Sequence, residues 1–414
     1  MNRLLFRCWR SAILCMHLQS DICIIGNGAI GKTAALGFAQ AGLSVNLLSP
    51  PAGADALASA SEDWDVRVYA LNHVAQNLLS SLRVWDALDA SRVAAVNAMQ
   101  VNGDGAERAG QLGFDAFGAR VGVLAWIAED RNLNQALDAA LKFAPKVHSI
   151  SGRATRIDID GASAKVQLEN GDSLQAALLV GADGGQSWVR GQCDIGLDYR
   201  SYRQRAIVTN FACSQPHHGV AHQWFDAEQG IIALLPLPGR RVSLVWSAPE
   251  QLAEALLHES LTQLAARLAK WAEPVLGNLS PLQPEVVKAF PLSLIRPHTI
   301  TAPQVALIGD AAHVVHPLAG HGMNLGFADV ASLLKLVAER GPERDCGDPR
   351  VLSRYARSRK EDILLMQLAT DGLERLFSSD FEPLRIARNM GLNLLDKMPV
   401  LKRRLISQAL GRPS

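Results

Sequence analysis

The sequence predicts an α/β protein in which a dinucleotide-binding fold carries an inserted antiparallel β-sheet and ends in helices. Three observations support this prediction. Residues 21–49 read as a strand, a glycine-rich turn, a helix and a second strand. Four strand-like segments follow one another at hairpin spacing within 205–247. Long helical patterns then occupy residues 354–376 and 382–410.

Length and composition set the outer limits. A chain of 414 residues is too long for one small core, so we expect several lobes. We divide them into an N-terminal extension (1–20), a discontinuous nucleotide-binding domain (21–190 and 295–345), a β-sheet domain (191–294), to which the resemblance described below assigns substrate binding, and a C-terminal helical region (346–414). The net charge of +1 gives no indication of nucleic-acid binding.

The cysteines and the apolar runs bear on localisation. The six cysteines are scattered without metal-ligand spacing, which indicates reduced thiols in a cytoplasmic protein. No apolar run reaches the about 18 residues of a spanning helix. Arg3, Arg7 and Arg10 lie on one helical face of the extension. This extension is therefore either a tail outside the fold or a basic amphipathic segment at a membrane surface.

The first unit carries a nucleotide-binding turn. Gly26, Gly28 and Gly31 stand between an apolar strand and a helix, so a pyrophosphate can approach the helix N-terminus. The position of this unit at the start of the folded part favours FAD over NAD. The second strand ends in Ser49, where an acidic residue usually binds the ribose. Ser49 offers a hydrogen bond without the strength that a charge adds.

The middle of the chain supplies further elements. Helices are predicted over 72–88, 129–141 and 251–271, and a β-meander over 153–180. The meander leads into Asp183 at the end of a buried strand. Because an unpaired buried carboxylate is costly, Asp183 needs donors, either backbone N–H groups or the hydroxyls of a ribityl chain.

The last glycine-rich stretch combines a carboxylate with a helix start. Gly309 and Asp310 follow a buried strand, and a helix is predicted over 323–337. Between them lie Pro317, Gly320 and Gly322, a spacing that lets backbone approach a flat ligand. A carboxylate for hydroxyls and a helix N-terminus for an anion suit the ribityl chain and the pyrimidine edge of a flavin.

At these residues the sequence resembles the class A flavoprotein aromatic hydroxylases. The stretch HPLAGHGMNLGFADV, which includes Met323 and Asn324, is similar to the branch that hydroxylates ubiquinone precursors. GADG at 181–184, followed by Ser187 and Arg190, resembles the second dinucleotide motif of the family. The resemblance implies an FAD-binding fold of the GR2-like type, roofed by the inserted sheet.

The resemblance also implies roles for single residues. Arg67 matches an arginine that approaches the cofactor phosphates or the flavin face. Arg131 matches a family arginine, and Asn134 stands where the family has a glutamine that touches FAD. We assign no catalytic base, because His313, His316 and His321 are expected to be loop residues that form hydrogen bonds.

The reaction implied by the resemblance is an NAD(P)H- and O2-dependent hydroxylation. NAD(P)H would bind transiently and reduce FAD, O2 would give a flavin hydroperoxide, and the ring of a polyprenylated phenol or quinol precursor of ubiquinone would accept the oxygen. One alternative is another hydrophobic substrate. A second is an FAD-poor scaffold in a membrane-associated complex, since Ser49 and Asn134 depart from the family pattern.

The implied partners are other ubiquinone-biosynthesis proteins and the inner membrane surface. The basic cluster formed by Lys397, Lys402, Arg403 and Arg404 is consistent with such a contact and equally with a solvated helix end.

Overall fold

A computed structural model describes residues 16–51, 63–103, 110–316, 321–377 and 393. Within them the chain forms three β-sheets and eight α-helices. The strands are β1 (His17–Ile25), β2 (Val45–Ser49), β3 (Val68–Leu71), β4 (Val93–Val96), β5 (Ala98–Asn102), β6 (Gln111–Asp115), β7 (Ala125–Glu129), β8 (Val147–Ser151), β9 (Ala154–Ile159), β10 (Ala164–Leu168), β11 (Ser173–Gly181), β12 (Leu197–Cys213), β13 (Val220–Asp226), β14 (Gly230–Leu237), β15 (Arg241–Pro249), β16 (Leu279–Pro281), β17 (Lys288–Pro297), β18 (Thr301–Ala302) and β19 (Val305–Leu307). The helices are α1 (Ala29–Gln40), α2 (His73–Ser81), α3 (Asp130–Leu141), α4 (Trp188–Gln192), α5 (Glu250–His258), α6 (Leu261–Leu276), α7 (His321–Ala338) and α8 (Pro349–Phe377).

The first sheet is the nucleotide-binding layer. Its order is β18-β19-β11-β1-β2-β8, and all neighbours from β19 to β8 pair in parallel. The meander β9–β10–β11 joins it by antiparallel pairing. Because parallel strands are covered on both faces, β1 carries the consecutive buried residues Ile22, Cys23, Ile24 and Ile25. The predicted βαβ unit and the predicted meander are confirmed.

The second sheet is the inserted antiparallel one. β12, β15, β14 and β13 pair in sequence, β16 and β17 flank β12, and β5 and β6 extend the far edge. Helices α5 and α6 pack on one face, where Trp246 and Leu234 are fully buried. The four predicted strands are confirmed. Because β5 and β6 come from residues 98–115, this sheet draws on chain outside 191–294, and the division into domains stays a prediction.

A small third sheet, β3-β7-β4, joins the two larger layers. Alternate residues of β7 face opposite sides, as the pleat of a strand requires. Ile127 packs with Ala221 and Leu237 of the second sheet. Ala128 packs with Leu36 of α1 and with residues of α2 and α3. The second sheet and the helices that pack with the first sheet therefore meet across this third sheet.

Two predicted helices are shorter than expected. The helix predicted over 72–88 ends at Ser81, because Arg83 takes a φ of +59° and Val84 N donates to Leu79 O at 2.8 Å. The helix predicted over 251–271 is two helices, α5 and α6. Ser260 begins the second with a capping box to Gln263. The spacing Ser260-x-x-Gln263 is a start signal that the sequence already contained.

The C-terminal region is described in part. Helix α8 confirms the helix predicted over 354–376, whereas the one predicted over 382–410 lies outside the described residues, as do the extension up to residue 15 and the basic cluster at 397–404. Among the described residues, none of the helices combines the length and the apolar character that a membrane span requires. The cysteines Cys23, Cys193, Cys213 and Cys346 are free thiols.

Candidate functional site

The glycine turn after β1 is closely packed on one side and open on the other. A Cβ on Gly26 would lie 2.2 Å from the carbonyl oxygen of Ala182, and a Cβ on Gly31 would lie 2.0 Å from that of Gly26. A Cβ on Gly28, the N-cap of α1, would have no atom of the described residues within 4 Å. No side chain of the described chain caps α1, and its first turn holds no carboxylate. The first N–H groups of α1 are therefore open to an anion.

Ser49 lies at the same edge of the first sheet. In the parallel pair of β1 and β2, Leu48 stands beside Ile25, and Gly26 N donates to Leu48 O at 3.0 Å. Ser49 follows directly and is half-buried, with its carbonyl accepting from Gly152 N at 2.9 Å. The structure thus brings Ser49 next to the glycine turn.

Asp183 lies where β11 ends, against the glycine turn. The backbone N of Asp183 is 2.9 Å from the place of a Cβ on Gly26. Its carboxylate accepts from Ser187 Oγ at 2.6 Å and from the backbone N of Val189 at 3.0 Å. The expected need for donors is confirmed, and protein groups at the start of α4 supply two of them. Contact between Asp183 and a cofactor stays a prediction.

Gly309 and Asp310 meet the start of α1 from the other side. Gly309 follows β19 with a φ of +60° and opens a 3-10 turn. Ile30, in the first turn of α1, contacts both Gly309 and Gly326 of α7: a Cβ on Gly309 would lie 3.3 Å from Ile30 Cγ2, and one on Gly326 2.9 Å from Ile30 Cδ1. The two glycine-rich stretches, far apart in sequence, therefore form one site.

The carboxylate of Asp310 lies near the side chains of Arg67 and His313. The carboxylate is accessible to solvent. Protein atoms around it displace part of its hydration, and this desolvation raises the pKa of Asp310 above its ordinary value. The charges of His313 and Arg67 oppose that rise. The guanidinium of Arg67 lies 5.5 Å from the ring centre of Tyr69 and 5.7 Å from that of Phe290. Arg67 is itself solvent-accessible. An exposed cation and an exposed carboxylate thus lie near each other.

Asn134 is held by other side chains. Its Oδ1 accepts from Lys32 Nζ at 3.1 Å, and its Nδ2 donates to Asp130 Oδ1 at 2.7 Å. Lys32 is buried in α1 and also forms an ion pair of 2.7 Å with Asp138. Sequence reasoning did not identify Lys32, which joins α1 to α3 through the amide of Asn134.

The start of α7 is anchored to the third sheet. Asn324 Oδ1 accepts from Asn72 N at 2.9 Å, and Asn324 Nδ2 donates to Ala70 O at 2.7 Å. Met323 packs on the cluster formed with α2 and α3. A Cβ on Gly322 would have no described atom within 4 Å. The remaining residues of the predicted loop, Pro317 and Gly320, lie outside the described residues.

Comparison with known proteins decides the family. Residues 19–363 match the model of the FAD binding domain family. The chain belongs to this family.

Individual relatives agree with this assignment. The chain is 34% identical to the ubiquinone hydroxylase UbiL of Rhodospirillum rubrum, over 95% of this chain and 90% of that protein. It is 33% identical to the 3-demethoxyubiquinol 3-hydroxylase of Escherichia coli, over 95% of this chain and 98% of that one. Among solved structures, p-nitrophenol 4-monooxygenase PnpA from Pseudomonas putida shares the fold, with a TM-score of 0.75, 18% identity, and coverage of 96% of this chain and 100% of that one.

The site of this FAD-binding protein fits its cofactor. The pyrophosphate would bind at an open helix N-terminus, and α1, whose first turn holds no carboxylate, offers one at Gly28. The hydroxyls of the ribityl chain would need acceptors, and the accessible carboxylate of Asp310 would provide them. Ser49 would serve the ribose, and α7 would direct its N-terminus at the flavin.

His313 and His316 are buried and hydrogen-bonded, as expected of loop residues. His313 Nε2 is 2.6 Å from Asp329 Oδ2, and His316 Nε2 is 3.1 Å from Gln204 Oε1 on β12. Burial lowers the pKa of His316 to about 4, so its ring is neutral near pH 7. Neither partner could be identified from a local sequence pattern, because Asp329 and Gln204 come from elements other than the loop that holds the two histidines.

Proposed function

We propose that this FAD-binding protein is a monooxygenase that hydroxylates the aromatic ring of a polyprenylated phenol in ubiquinone biosynthesis, with NAD(P)H and O2 as co-substrates. The observation that carries the proposal is the meeting of α1 and the Gly309–Asp310 turn at Ile30. The names of the relatives, a ubiquinone hydroxylase and a 3-demethoxyubiquinol 3-hydroxylase, support the choice of substrate class.

FAD, when bound, supplies the redox chemistry: it takes electrons from NAD(P)H and activates O2. The residues of the chain bind and orient it. The N–H groups at Gly28 would hold the pyrophosphate, Asp310 the ribityl hydroxyls, and Arg67 a phosphate or the flavin face. The positive end of α7 would stabilise negative charge on the reduced ring. Since the described residues show no second nucleotide-binding fold, NAD(P)H would bind transiently at the same site.

The second sheet offers an apolar face for the substrate ring. On β14 and β15, Leu234 and Trp246 point to α5 and α6 and belong to the core. The alternating residues Ala233, Leu235 and Val245 point to the opposite side and stay partly accessible. Gln223 pairs with Ala233, and Ser243 pairs with Leu235, so this face combines apolar side chains with uncharged polar groups, which suits the ring and the hydroxyl of a prenylated phenol. We therefore propose that the substrate lies against Leu235 and its neighbours.

Two measurements test the proposal. The visible absorption spectrum of the purified protein, before and after addition of FAD, should show flavin near one equivalent. Oxidation of NAD(P)H should then be stimulated by a prenylated phenol, with a product that has gained one oxygen atom by mass spectrometry. Absence of flavin from the folded chain at excess FAD would instead favour the scaffold. If the phenol stimulates NAD(P)H oxidation but only hydrogen peroxide is formed, the protein is a flavoenzyme of this fold that does not hydroxylate this phenol.

We further propose contact with an anionic membrane surface through α8. Arg357, Lys360, Leu364 and Leu368 are exposed at helical spacing along this helix, with Leu364 40% and Leu368 56% exposed. Basic groups for lipid phosphates and leucines for the acyl boundary suit a surface that carries a prenylated substrate. Flotation with vesicles containing anionic lipid should recover the protein. Loss of flotation in Leu364→Ser/Leu368→Ser, with the flavin spectrum unchanged, is expected; equal flotation of this variant would contradict the contact.

A further inference from the structure

Asp329 of α7 is a fully buried carboxylate with three donors. Its Oδ2 accepts from the backbone N of Gly309 at 2.9 Å and from His313 Nε2 at 2.6 Å, and its Oδ1 accepts from Arg359 Nε at 2.8 Å. The distances of 2.8 and 2.9 Å lie in the range of well-formed hydrogen bonds, and the distance of 2.6 Å is slightly shorter. A charge is buried in this way only when partners compensate it.

The donors of Asp329 enclose the turn that carries Asp310. Gly309 precedes Asp310 directly, and its φ of +60° sets the direction in which the chain leaves β19. His313 closes the other end of the turn, because its backbone N donates to Gly309 O at 3.0 Å. Asp329 therefore holds both ends of the turn. It binds the backbone amide of Gly309 at the first end and the imidazole ring of His313 at the other.

Helix α8 also fixes Asp329. Arg359 is buried, and besides Asp329 it reaches Asp362 Oδ2 at 2.6 Å. One turn earlier on α8, the hydroxyl of Tyr355 donates to Leu307 O, the last residue of β19, at 2.8 Å. The strand end and the turn after it are thus both attached to α8, although α8 contributes no residue to the predicted flavin contacts.

We propose that Asp329 is a positioning residue for FAD: it sets the Gly309–Asp310 turn so that Asp310 can bind the ribityl chain, and Arg359 of α8 supplies its counter-charge. FAD affinity would then depend on a carboxylate that does not touch the cofactor. This inference rests on the proposed contact between Asp310 and FAD.

The test compares four variants by FAD titration of the apoprotein, followed by quenching of flavin fluorescence, with thermal unfolding of each apoprotein as the measure of the fold. Asp329→Asn keeps the shape and one acceptor oxygen. Asp329→Leu/Arg359→Leu removes the acceptor and both charges, so no unpaired charge stays buried. Asp362→Asn is the matched control, because it removes the exposed partner of Arg359 and leaves Asp329 intact. Asp310→Ala tests the underlying contact.

We expect wild-type affinity in Asp362→Asn, about 5-fold weaker FAD binding in Asp329→Asn and at least about 10-fold weaker binding in the double variant, with apoprotein that still unfolds cooperatively. If the double variant folds and binds FAD with wild-type affinity, the inference is overturned. If the double variant does not fold, the FAD affinity of Asp329→Asn decides instead, and wild-type affinity again overturns the inference. If Asp310→Ala binds FAD like wild type, the proposed contact itself is wrong, which separates the two failures.

Discussion

Replacing Gly28 by alanine tests whether the pyrophosphate of FAD binds at the start of α1. Gly28 has a φ of −68° and a ψ of 174°, which any residue can adopt, and no described atom lies within 4 Å of the added Cβ. Alanine is a poorer N-cap than glycine, which destabilises the folded protein. It also reduces the conformational entropy of the unfolded chain, which stabilises the folded protein by about 0.4–1 kcal/mol. These effects oppose each other, so the thermal midpoint of the apoprotein should change by about 2 °C or less.

The same methyl group should weaken FAD binding clearly. It would occupy the space through which the N–H groups of α1 reach the anion. Loss of a single hydrogen bond to a charged group costs about 1.5–3 kcal/mol, which corresponds to about 10- to 100-fold in the dissociation constant. Titration of the apoprotein with FAD, with fluorescence quenching as the signal, measures the change.

Gly31→Ala is the contrasting variant. Its Cβ would lie 2.0 Å from Gly26 O, so either the turn or α1 must move. We expect this variant to lose apoprotein stability and FAD affinity together, whereas Gly28→Ala loses affinity alone. Wild-type affinity in a folded Gly28→Ala protein would refute the placement of the pyrophosphate on α1.

Three further predictions concern the cofactor, the pH and the core. Ser49→Glu should tighten FAD binding about 5-fold in the same titration, because a charged acceptor roughly doubles the strength of the hydrogen bond to the ribose. Ser49→Ala, as the control, should weaken FAD binding. Equal FAD affinity of the wild type and both variants would show that Ser49 does not contact the ribose. Burial lowers the pKa of His316 to about 4, so the unfolded chain, with a pKa of about 6.5, takes up the proton first as the pH falls. His316 should therefore lower the free energy of unfolding by about 2 kcal/mol between pH 7 and pH 5. Urea unfolding of His316→Gln should show a smaller decrease over the same pH range. The same pH dependence in wild type and variant would contradict a neutral, buried His316 ring. Trp246→Ala should lower the free energy of unfolding by about 3–5 kcal/mol, since the ring is fully buried and its Nε1 donates to Gln229 O at 2.7 Å. Trp246→Phe should cost less, and a loss of only about 1 kcal/mol in the alanine variant would show that the site collapses around the missing ring.

The sequence by itself determined the local elements of the cofactor side. Gly26 and Gly31 were recognisable because only a residue without a Cβ fits where backbone passes backbone, and that demand depends on a few neighbouring residues. Gly28 was recognisable from its position between them at the start of a helix. Asp310 and α7 were also recognisable from neighbouring residues alone. Asp310 stands at the end of an apolar strand, and α7 shows helical spacing of its apolar residues. Periodicity of apolar residues was sufficient for the strands of the second sheet.

Only the tertiary structure decided which groups each side chain meets. Asn134, expected at FAD, is held by Lys32 and Asp130, and Asp329 joins Gly309, His313 and Arg359. Alternation along β14 showed that successive residues face opposite sides, but the packing of α5 and α6 decided which side is core. The reason is physical: spacing along a chain fixes the direction of a side chain relative to its own element, while its partners come from elements distant in sequence.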